Sequence, residues 1–401
     1  MNVSAASRRP GPLSGMLVVS MEHAIAAPFC TRQLADLGAR VIKIERPGVG
    51  DFARAYDKRV HGLSSHFVWC NRSKESLTLD VKHPLAREIL ERLVARAEIV
   101  VQNLAPGASM RLGLGAAELR ARHPRMIVCD ISGYGGSGPY RDRKAYDLLI
   151  QSEAGFVSTT GSVDEPAKAG ISIADIAAGM YAYSGILSAL LQRGRTGEGA
   201  HVEVSMLEAL TEWMSYPLYY AYEGATQPPR AGAAHATIYP YGPFQAGDGG
   251  VVMFGLQNER EWAAFCSGVL GDAALAHDAR FASNVQRVAN RDALKAVIDA
   301  RFSVLQTTGV IALLDGAGIA NARVNEMADV WAHPQLQARK RWRDIGSPSG
   351  ALRALIPPVT TDSFDPRMDG VPELGEHTES ILGELGFAPE AIAALRREKA
   401  I

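Results

Sequence analysis

The stretch "MLVVSMEHAIAAPFCTRQLADLGARVIKIE" (residues 16–45) changes its hydrophobic pattern twice, and the fold class follows from those changes. The apolar run at 16–21 predicts a buried strand. Residues 27–38 predict a helix that ends at Gly38, because glycine readily adopts the left-handed conformation of a helix C-terminus. A second apolar run at 40–45 predicts another strand, and strand–helix–strand is typical of two parallel strands joined by a crossover.

The same alternation continues towards the C-terminus. Further strands are predicted at 76–80, 98–104, 126–132 and 201–206. Amphipathic helices are predicted at 83–97, at 208–224 with a bend at Pro217, and from Asp175 to Arg193. We therefore expect an α/β protein with a mostly parallel sheet, whose ligands bind at the carboxyl ends of the strands.

The length of 401 residues exceeds that of one ordinary core, so we expect more than one domain. Residues 1–14 are predicted to be a flexible leader and 15–224 a large domain. A hairpin and several helices predict a small domain with its linkers at 225–330, and 331–401 is expected to return to the large domain.

Composition excludes several classes of function. A net charge of −1 without a basic run argues against nucleic-acid binding. Four cysteines without a CxxC spacing argue against a metal site or a disulfide framework, and they favour a reducing cytoplasm. No apolar run approaches the ~20 residues of a membrane span. We expect a cytoplasmic protein with no bound metal and no membrane partner.

The glycine-rich stretch "GYGGSG" (133–138) fits a dinucleotide-binding fingerprint, but Pro139 follows it where a helix should begin. A pyrophosphate would then have no helix N-terminus to bind. A flexible loop beside a site is the preferred interpretation. The motifs HExxH and GxSxG are absent, which argues against zinc and serine hydrolases.

A single acid, Asp175, begins a helix among small residues that include Ala174, Ala177, Ala178 and Gly179. Two interpretations stay open from the residues alone. Asp175 is either an N-cap, a position where aspartate is favoured, or an ionised nucleophile that attacks a carbonyl carbon. Its small neighbours either let another helix pack closely or leave room for a ligand.

Seven stretches, in order, resemble the class III coenzyme A transferases of the CaiB/BaiF family; they are residues 26–51, 71–90, 101–114, 145–161, the Asp175 segment, 196–210 and 374–386. The resemblance implies a Rossmann-like large domain, a smaller α+β domain and an interlocked homodimer. The N- and C-terminal parts together are expected to build the large domain.

The resemblance also implies the chemistry. Asp175 matches the family's catalytic aspartate, which forms an aspartyl anhydride and then an aspartyl-CoA thioester. Coenzyme A enters as an acyl-CoA substrate, and no permanently bound cofactor is expected. A non-catalytic protein that binds coenzyme A remains an alternative.

A larger set of positions matches the family's coenzyme A contacts: Ala24, Ile25, Ala26, Arg46, Leu79, Asp80, Lys82, Asn103, Leu104, Arg111, Lys144 and Tyr146. Ile25 departs from the glutamine of some relatives, and each single cation can instead be a solvated surface charge. The related 2-methylacyl-CoA racemases or epimerases carry a histidine where this chain has Tyr146, a poor base at neutral pH. The transferase is therefore favoured over the racemase.

The stretch "RAGAAHATIYPYGPF" (230–244) resembles branches that exchange coenzyme A between succinyl-CoA and C4–C5 dicarboxylates such as mesaconate, itaconate or citramalate. Its polar side chains are expected to hold the second carboxylate: Arg230, His235, Thr237, Tyr239 and Tyr241. A linker packed on a partner subunit is the alternative interpretation of this stretch.

Overall fold

The structure is a computed structural model, and it describes residues 9–401. The chain forms two compact units. The first unit comprises the described residues up to Ala154, together with Gly170–Met214 and Leu336–Ile401. The second unit comprises Gly155–Ala169 and Ser215–Gln335.

The first unit contains a six-stranded sheet, and all neighbouring strands in it are parallel. Its strands are β1 (Leu17–Met21), β2 (Arg40–Glu45), β3 (Lys74–Thr78), β4 (Ile99–Gln102), β5 (Ile127–Ser132) and β6 (His201–Ser205). Their order is β3-β2-β1-β4-β5-β6, the order of a doubly wound α/β fold. The predicted parallel sheet is confirmed.

The second unit contains an antiparallel sheet of β7 (Tyr241–Gln245), β8 (Val251–Gly255) and β9 (Asn321–Arg323). The predicted hairpin is β7–β8, joined by a turn at 246–250. A second hairpin, β10 (Trp342–Ile345) with β11 (Leu352–Leu355), belongs to the first unit.

The α-helices of the described chain are α1 (Ala26–Asp36), α2 (Ser65–Asn71), α3 (Ala86–Val94), α4 (Ala108–Arg111), α5 (Ala116–Arg122), α6 (Asp147–Glu153), α7 (Phe156–Thr159), α8 (Ile173–Thr196), α9 (Met206–Trp213), α10 (Ser215–Tyr220), α11 (Glu259–Phe265), α12 (Asn284–Ala289), α13 (Arg291–Phe302), α14 (Thr307–Gly316), α15 (Met327–Trp331), α16 (Pro334–Ala338), α17 (Thr378–Glu384) and α18 (Pro389–Arg397). Short 3₁₀ turns lie at Phe52–Ala55, Tyr222–Gly224 and Ala273–His277, and a π turn at Cys266–Leu270.

The predicted bent helix at 208–224 is wrong in one respect, because the chain forms two helices there. Helix α9 ends at Trp213, and α10 begins at Ser215. Pro217 has no backbone N–H to donate to the carbonyl of Trp213, and its ring opposes a continuous helical turn at that point. The helix therefore breaks one turn before the proline.

Helices α1 and α8 pack directly against each other, and the small residues of α8 make this possible. Ala174, Ala177, Ala178 and Gly179 are all buried. A Cβ added at Gly179 would lie 2.7 Å from the carbonyl oxygen of Ala26. Among the described residues, α8 also has the length and apolar composition of a membrane-spanning helix. One face of this helix, which includes Gly179, is buried against α1.

The C-terminal segment is part of the main core of the first unit. Leucines and isoleucines of α3, α17 and α18 pack in one cluster with alternate residues of β1, β2 and β4, among them Val19, Ile42 and Val100. The backbone N–H of Asp80 donates to the carbonyl of Ala400 at 2.8 Å. The last residues of the chain therefore complete the side of the sheet opposite α1 and α8.

The predicted domain bounds can be set beside the two units. Residues 1–8 of the predicted flexible leader lie outside the described residues; of residues 9–14, Leu13 is buried, and its N–H donates to the carbonyl of Leu37. Residues 155–169 and 215–224, predicted to lie in the large domain, group with the second unit. The N–H of Gly232 donates to the carbonyl of Gly161 at 2.7 Å, and contacts of this kind hold 155–169 there.

Candidate active site

Five adjacent strands, β3-β2-β1-β4-β5, bring most of the predicted site residues to the edge of the sheet where the carboxyl ends of the strands lie. Because the strands are parallel, the segments that follow β1, β2, β3, β4 and β5 all leave from their carboxyl ends at that edge. These segments carry Ala24, Ile25 and Ala26, then Arg46, then Leu79, Asp80 and Lys82, then Asn103 and Leu104, and finally Lys144 and Tyr146. The strand order reverses between β1 and β4, because β2 and β3 are added on one side of β1 and β4 to β6 on the other. Such sheets open a crevice for ligands at this point.

Asp175 lies in the first turn of α8, but it is not the N-cap. The residue at the N-cap is Ser172, whose side chain makes no capping bond. The capping oxygen comes from another helix: Oδ1 of Asp147 accepts from the backbone N–H of Ala174 at 2.8 Å and of Asp175 at 3.4 Å. The N-cap interpretation of Asp175 is therefore wrong, and its own carboxyl group is left for other partners.

The carboxyl group of Asp175 is part-buried and accepts a hydrogen bond from the backbone N–H of Ala26, the first residue of α1. Burial raises the pKa of Asp175 to about 7, and the negative charge of Asp147 contributes to this increase. The Ala26 N–H acts in the opposite direction, because it stabilises the ionised form. A carboxylate with little water around it is well suited to attack an electrophilic carbon.

The loop between β1 and α1 supports that hydrogen bond with its backbone. Ala24 has a φ of 61°, a left-handed conformation that costs energy for a residue with a Cβ. Its N–H donates to Oδ1 of Asp51 at 3.1 Å. The Asn103 side chain holds His23, the residue before Ala24, by two hydrogen bonds. It accepts from the His23 N–H and donates to the His23 carbonyl. The side chains of Ile25 and Ala26 are buried, so backbone atoms are what this loop offers a ligand.

A cluster of buried charges lies beneath the loop, and the sequence analysis missed it. Nζ of Lys43 lies 2.6 Å from Asp51 and 3.6 Å from Glu22, and Nζ of Lys74 lies 2.6 Å from Glu22. Both lysine amines also donate to Oδ1 of Asn71 at 3.0 Å. The available signal was the lysine inside the apolar strand "RVIKIE", because a charge at a buried strand position requires a buried partner.

A second missed feature is a group of aromatic side chains near Asp175. The rings of His23 and Phe52 stack at 5.3 Å, and the ring of Phe52 lies 5.8 Å from that of Tyr56. Phe52 and Tyr56 are each about half exposed. Burial raises the pKa of Tyr56 to about 12, with contributions from the charges of Asp51 and Asp175. The Tyr56 hydroxyl therefore stays protonated at neutral pH.

Several cations predicted to contact coenzyme A are exposed at this edge of the first unit. They are Arg46, Lys82, Arg111 and Lys144. Lys144 lines a cavity of about 570 Å³ together with Tyr134, Arg143, Leu149, Ser152 and Glu153. Tyr146 precedes α6 and is 67% exposed. Exposed cations and an open cavity are compatible with a large phosphorylated ligand.

The predicted substrate residues of 230–241 lie in the second unit, where the side chains of Arg230 and His235 have hydrogen-bond partners. The guanidinium of Arg230 donates to the carbonyls of Ser162 and Val163. Nδ1 of His235 accepts from the N–H of Thr237, and the His235 ring stacks on that of Tyr241 at 5.3 Å.

Tyr239 was also predicted to bind substrate, and it differs from the other predicted substrate residues in its burial. Its side chain is only 3% exposed and packs in the apolar core of the second unit. Tyr239 is therefore a core residue.

Comparison with known proteins gives consistent results. The sequence profile of CoA-transferase family III matches residues 13–378. The chain is 33% identical to succinyl-CoA:glutarate CoA-transferase of Mus musculus, over 93% of this chain and 86% of that protein. It is 34% identical to acetyl-CoA:oxalate CoA-transferase of Acetobacter aceti, over 98% and 100% respectively. A crystal structure of a CAIB/BAIF family protein from Brucella suis superposes with a TM-score of 0.83 at 35% identity, and the match covers 94% of this chain and all of that one.

Proposed function

We propose a specific reaction for this chain, which belongs to CoA-transferase family III and is an enzyme that transfers coenzyme A. In this reaction coenzyme A passes from succinyl-CoA to a C4–C5 dicarboxylic acid, and Asp175 is the covalent nucleophile. The observation that carries the proposal is the Asp175 carboxyl group, which is part-buried, uncommitted to capping its own helix and held by the N–H of Ala26.

The reaction proceeds through Asp175 in balanced steps. A carboxylate oxygen bonds to the acyl carbon of succinyl-CoA, the C–S bond breaks, and coenzyme A leaves as a thiolate. The thiolate then attacks the Asp175 carbonyl carbon of the anhydride, which releases succinate and leaves an aspartyl-CoA thioester. The acceptor carboxylate attacks this thioester and expels the thiolate, which finally attacks the acceptor's acyl carbon and restores Asp175. No step requires a general acid, because each leaving group departs as an anion.

Coenzyme A binding follows from the charges at the edge of the sheet. We assign the phosphates to Arg46, Arg111 and Lys144, since guanidinium and ammonium groups suit phosphate oxygens. The backbone of 24–26 is assigned to the pantetheine arm, together with Leu79, Asp80, Lys82, Asn103 and Leu104. Tyr146 lies next to the capping residue Asp147 and is assigned to the same ligand.

The dicarboxylate assignment rests on the resemblance of 230–244 and on the two diacids in the name of the mouse relative. Glutarate therefore joins mesaconate, itaconate and citramalate as candidate acceptors. Arg230, His235 and Thr237 remain the proposed contacts for the second carboxylate, whereas Tyr239 is withdrawn because it is buried. The name of the Acetobacter aceti relative makes oxalate the competing acceptor.

The test is to incubate the enzyme with succinyl-CoA and each free acid, and to identify new thioesters by mass spectrometry. We expect a C4–C5 diacid to give the highest kcat/KM and Asp175→Asn to abolish transfer with every acid. Faster transfer to oxalate would overturn the substrate assignment. Deuterium uptake from heavy water at the α-carbon of 2-methylacyl-CoA, without transfer, would favour the racemase; binding of coenzyme A without any turnover would favour a non-catalytic protein.

A further inference from the structure

Lys43 and Asp51 form an ion pair that is completely excluded from water. The exposed fraction of both side chains is 0%, and Nζ of Lys43 lies 2.6 Å from Oδ2 of Asp51. An ion pair this deeply buried contributes little net stability, because removing two charges from water offsets their attraction. We therefore expect this ion pair to have a role, other than stability, in the adjacent β1–α1 loop.

The second oxygen of Asp51 reaches the loop. Oδ1 accepts from the N–H of Ala24 at 3.1 Å and from the N–H of Ala53 at 2.9 Å. Ala24 is the residue with φ 61°, and left-handed backbone at a non-glycine residue persists only where its surroundings enforce it. Oδ1 of Asp51 holds Ala24 in this conformation, and Oδ2 of the same carboxylate is paired with Lys43.

The enforced residue is two positions from the donor that serves Asp175. Ala24 is followed by Ile25, at the N-cap of α1, and then by Ala26, whose N–H donates to the Asp175 carboxyl group. The conformation at Ala24 sets the direction in which α1 begins. A change of that conformation would turn the Ala26 N–H away from the carboxylate.

We propose that Asp51 is a positioning residue for Asp175: it holds Ala24 in the left-handed conformation that aims the Ala26 N–H at the nucleophile. This inference rests on the proposed role of Asp175. Asp51 acts through the backbone, and Lys43 balances its buried negative charge.

The test uses two double variants that differ in whether residue 51 offers an acceptor to the N–H groups of Ala24 and Ala53. Both replace Lys43 by Met, so that neither leaves an unpaired buried ammonium. Lys43→Met/Asp51→Asn keeps an oxygen for the Ala24 N–H, whereas Lys43→Met/Asp51→Leu has the same shape without that oxygen. We expect the Leu variant to melt several degrees below the Asn variant, because it leaves the N–H groups of Ala24 and Ala53 without this acceptor, and kcat is therefore compared at a temperature at which both variants are folded.

We expect the Asn variant to keep kcat within about threefold of the original enzyme, and the Leu variant to lose at least about tenfold in kcat with little change in the KM for acyl-CoA. The acid limb of the kcat pH profile should move to higher pH in the Leu variant alone, since a lost N–H donor disfavours the ionised carboxylate.

Equal kcat values and equal pH profiles in the two double variants would overturn the positioning role. So would a loss that appears only in KM. Asp175→Asn, measured alongside, separates this result from a failure of the proposed function. An active Asp175→Asn enzyme contradicts the nucleophile itself, whereas an inactive one with two equal double variants contradicts only the role of Asp51.

Discussion

Asp175 is subject to two opposing influences, and their balance determines whether it can act. Burial and the nearby charge of Asp147 favour the protonated acid, whereas the Ala26 N–H favours the carboxylate. The resulting pKa of about 7 lies well above the usual value for aspartate. A large share of the enzyme molecules therefore carries an ionised Asp175 at neutral pH. Burial of this charge lowers the stability of the folded state.

This cost predicts that Asp175→Asn stabilises the protein at high pH. The pKa of Asp175 is higher in the folded than in the unfolded chain, so the folded state binds more protons between about pH 4 and pH 7, and stability falls as the pH rises through this window. The variant removes the penalty and should gain about 2 kcal/mol in the free energy of unfolding at pH 8. The gain should shrink towards pH 4.5. Denaturant unfolding at both pH values checks this, and a gain that does not depend on pH would contradict it.

Asp147 offers a second test of the same electrostatics. Asp147→Asn keeps an oxygen to cap α8 but removes the charge that raises the pKa of Asp175. We expect the acid limb of the kcat/KM profile to move to lower pH by about one unit. Asp147→Ala also removes the cap and should cost about 1 kcal/mol of stability. An acid limb that stays in place in the Asn variant would show that Asp147 does not act on Asp175 through its charge.

Some of these residues could be predicted from the sequence and others could not. Asp175 stands out because its neighbours have almost no side chain, and the loops after the strands follow from the alternation of the elements. Lys43, Asp51 and Asn103 were not predicted to act on one loop, because they meet only once β2 and β4 lie on either side of β1. The burial of Tyr239 was not predicted, because a tyrosine beside polar residues gives no indication of which way its ring turns.

At the scale of secondary-structure elements, the contact between α1 and α8 holds the site together. It brings the first residue of α1 to the first turn of α8, and Gly179 permits this approach. Periodicity predicted both helices, but it left open whether the small residues faced a helix or a ligand. The structure shows that Ala177, Ala178 and Gly179 are buried and that Gly179 faces α1.

Gly179→Ala should therefore separate the two helices. Its Cβ would meet the Ala26 carbonyl oxygen at 2.7 Å and the Phe29 side chain at 3.0 Å. We expect a loss of about 1–3 kcal/mol in the free energy of unfolding, together with a lower kcat. Gly194→Ala on the same helix is the matched control, because nothing lies within 4 Å of its added Cβ, and it should be neutral or stabilising. Equal effects of the two substitutions would contradict this packing account.

At the scale of the whole molecule, the first unit is assembled from segments that are far apart in the chain. Residues of α17 and α18 complete a core that β1 and β2 begin. His377 illustrates the link, since its Nδ1 accepts from the N–H of Ser76 in β3. Local periodicity predicts such helices but not which sheet they cover. The interlocked homodimer implied by the resemblance stays a prediction.

This assembly predicts that a cavity near the C-terminus weakens the whole first unit. Leu382 in α17 is completely buried, whereas Ser380 on the same helix is exposed. Leu382→Ala should cost about 3 kcal/mol, and Ser380→Ala should change stability by less than about 0.5 kcal/mol. Denaturant unfolding followed by circular dichroism checks both values. A Leu382→Ala chain as stable as the Ser380→Ala chain would show that the C-terminal helices are dispensable to the core.

The most direct test of the account is to trap the covalent intermediate on Asp175. The enzyme is incubated with succinyl-CoA, quenched with hydroxylamine, digested and analysed by mass spectrometry. We predict a hydroxamate on the peptide that contains Asp175, which is absent without the acyl-CoA and absent from Asp175→Asn. Transfer of coenzyme A that proceeds while Asp175 stays unmodified, or an adduct on another residue, would contradict the account.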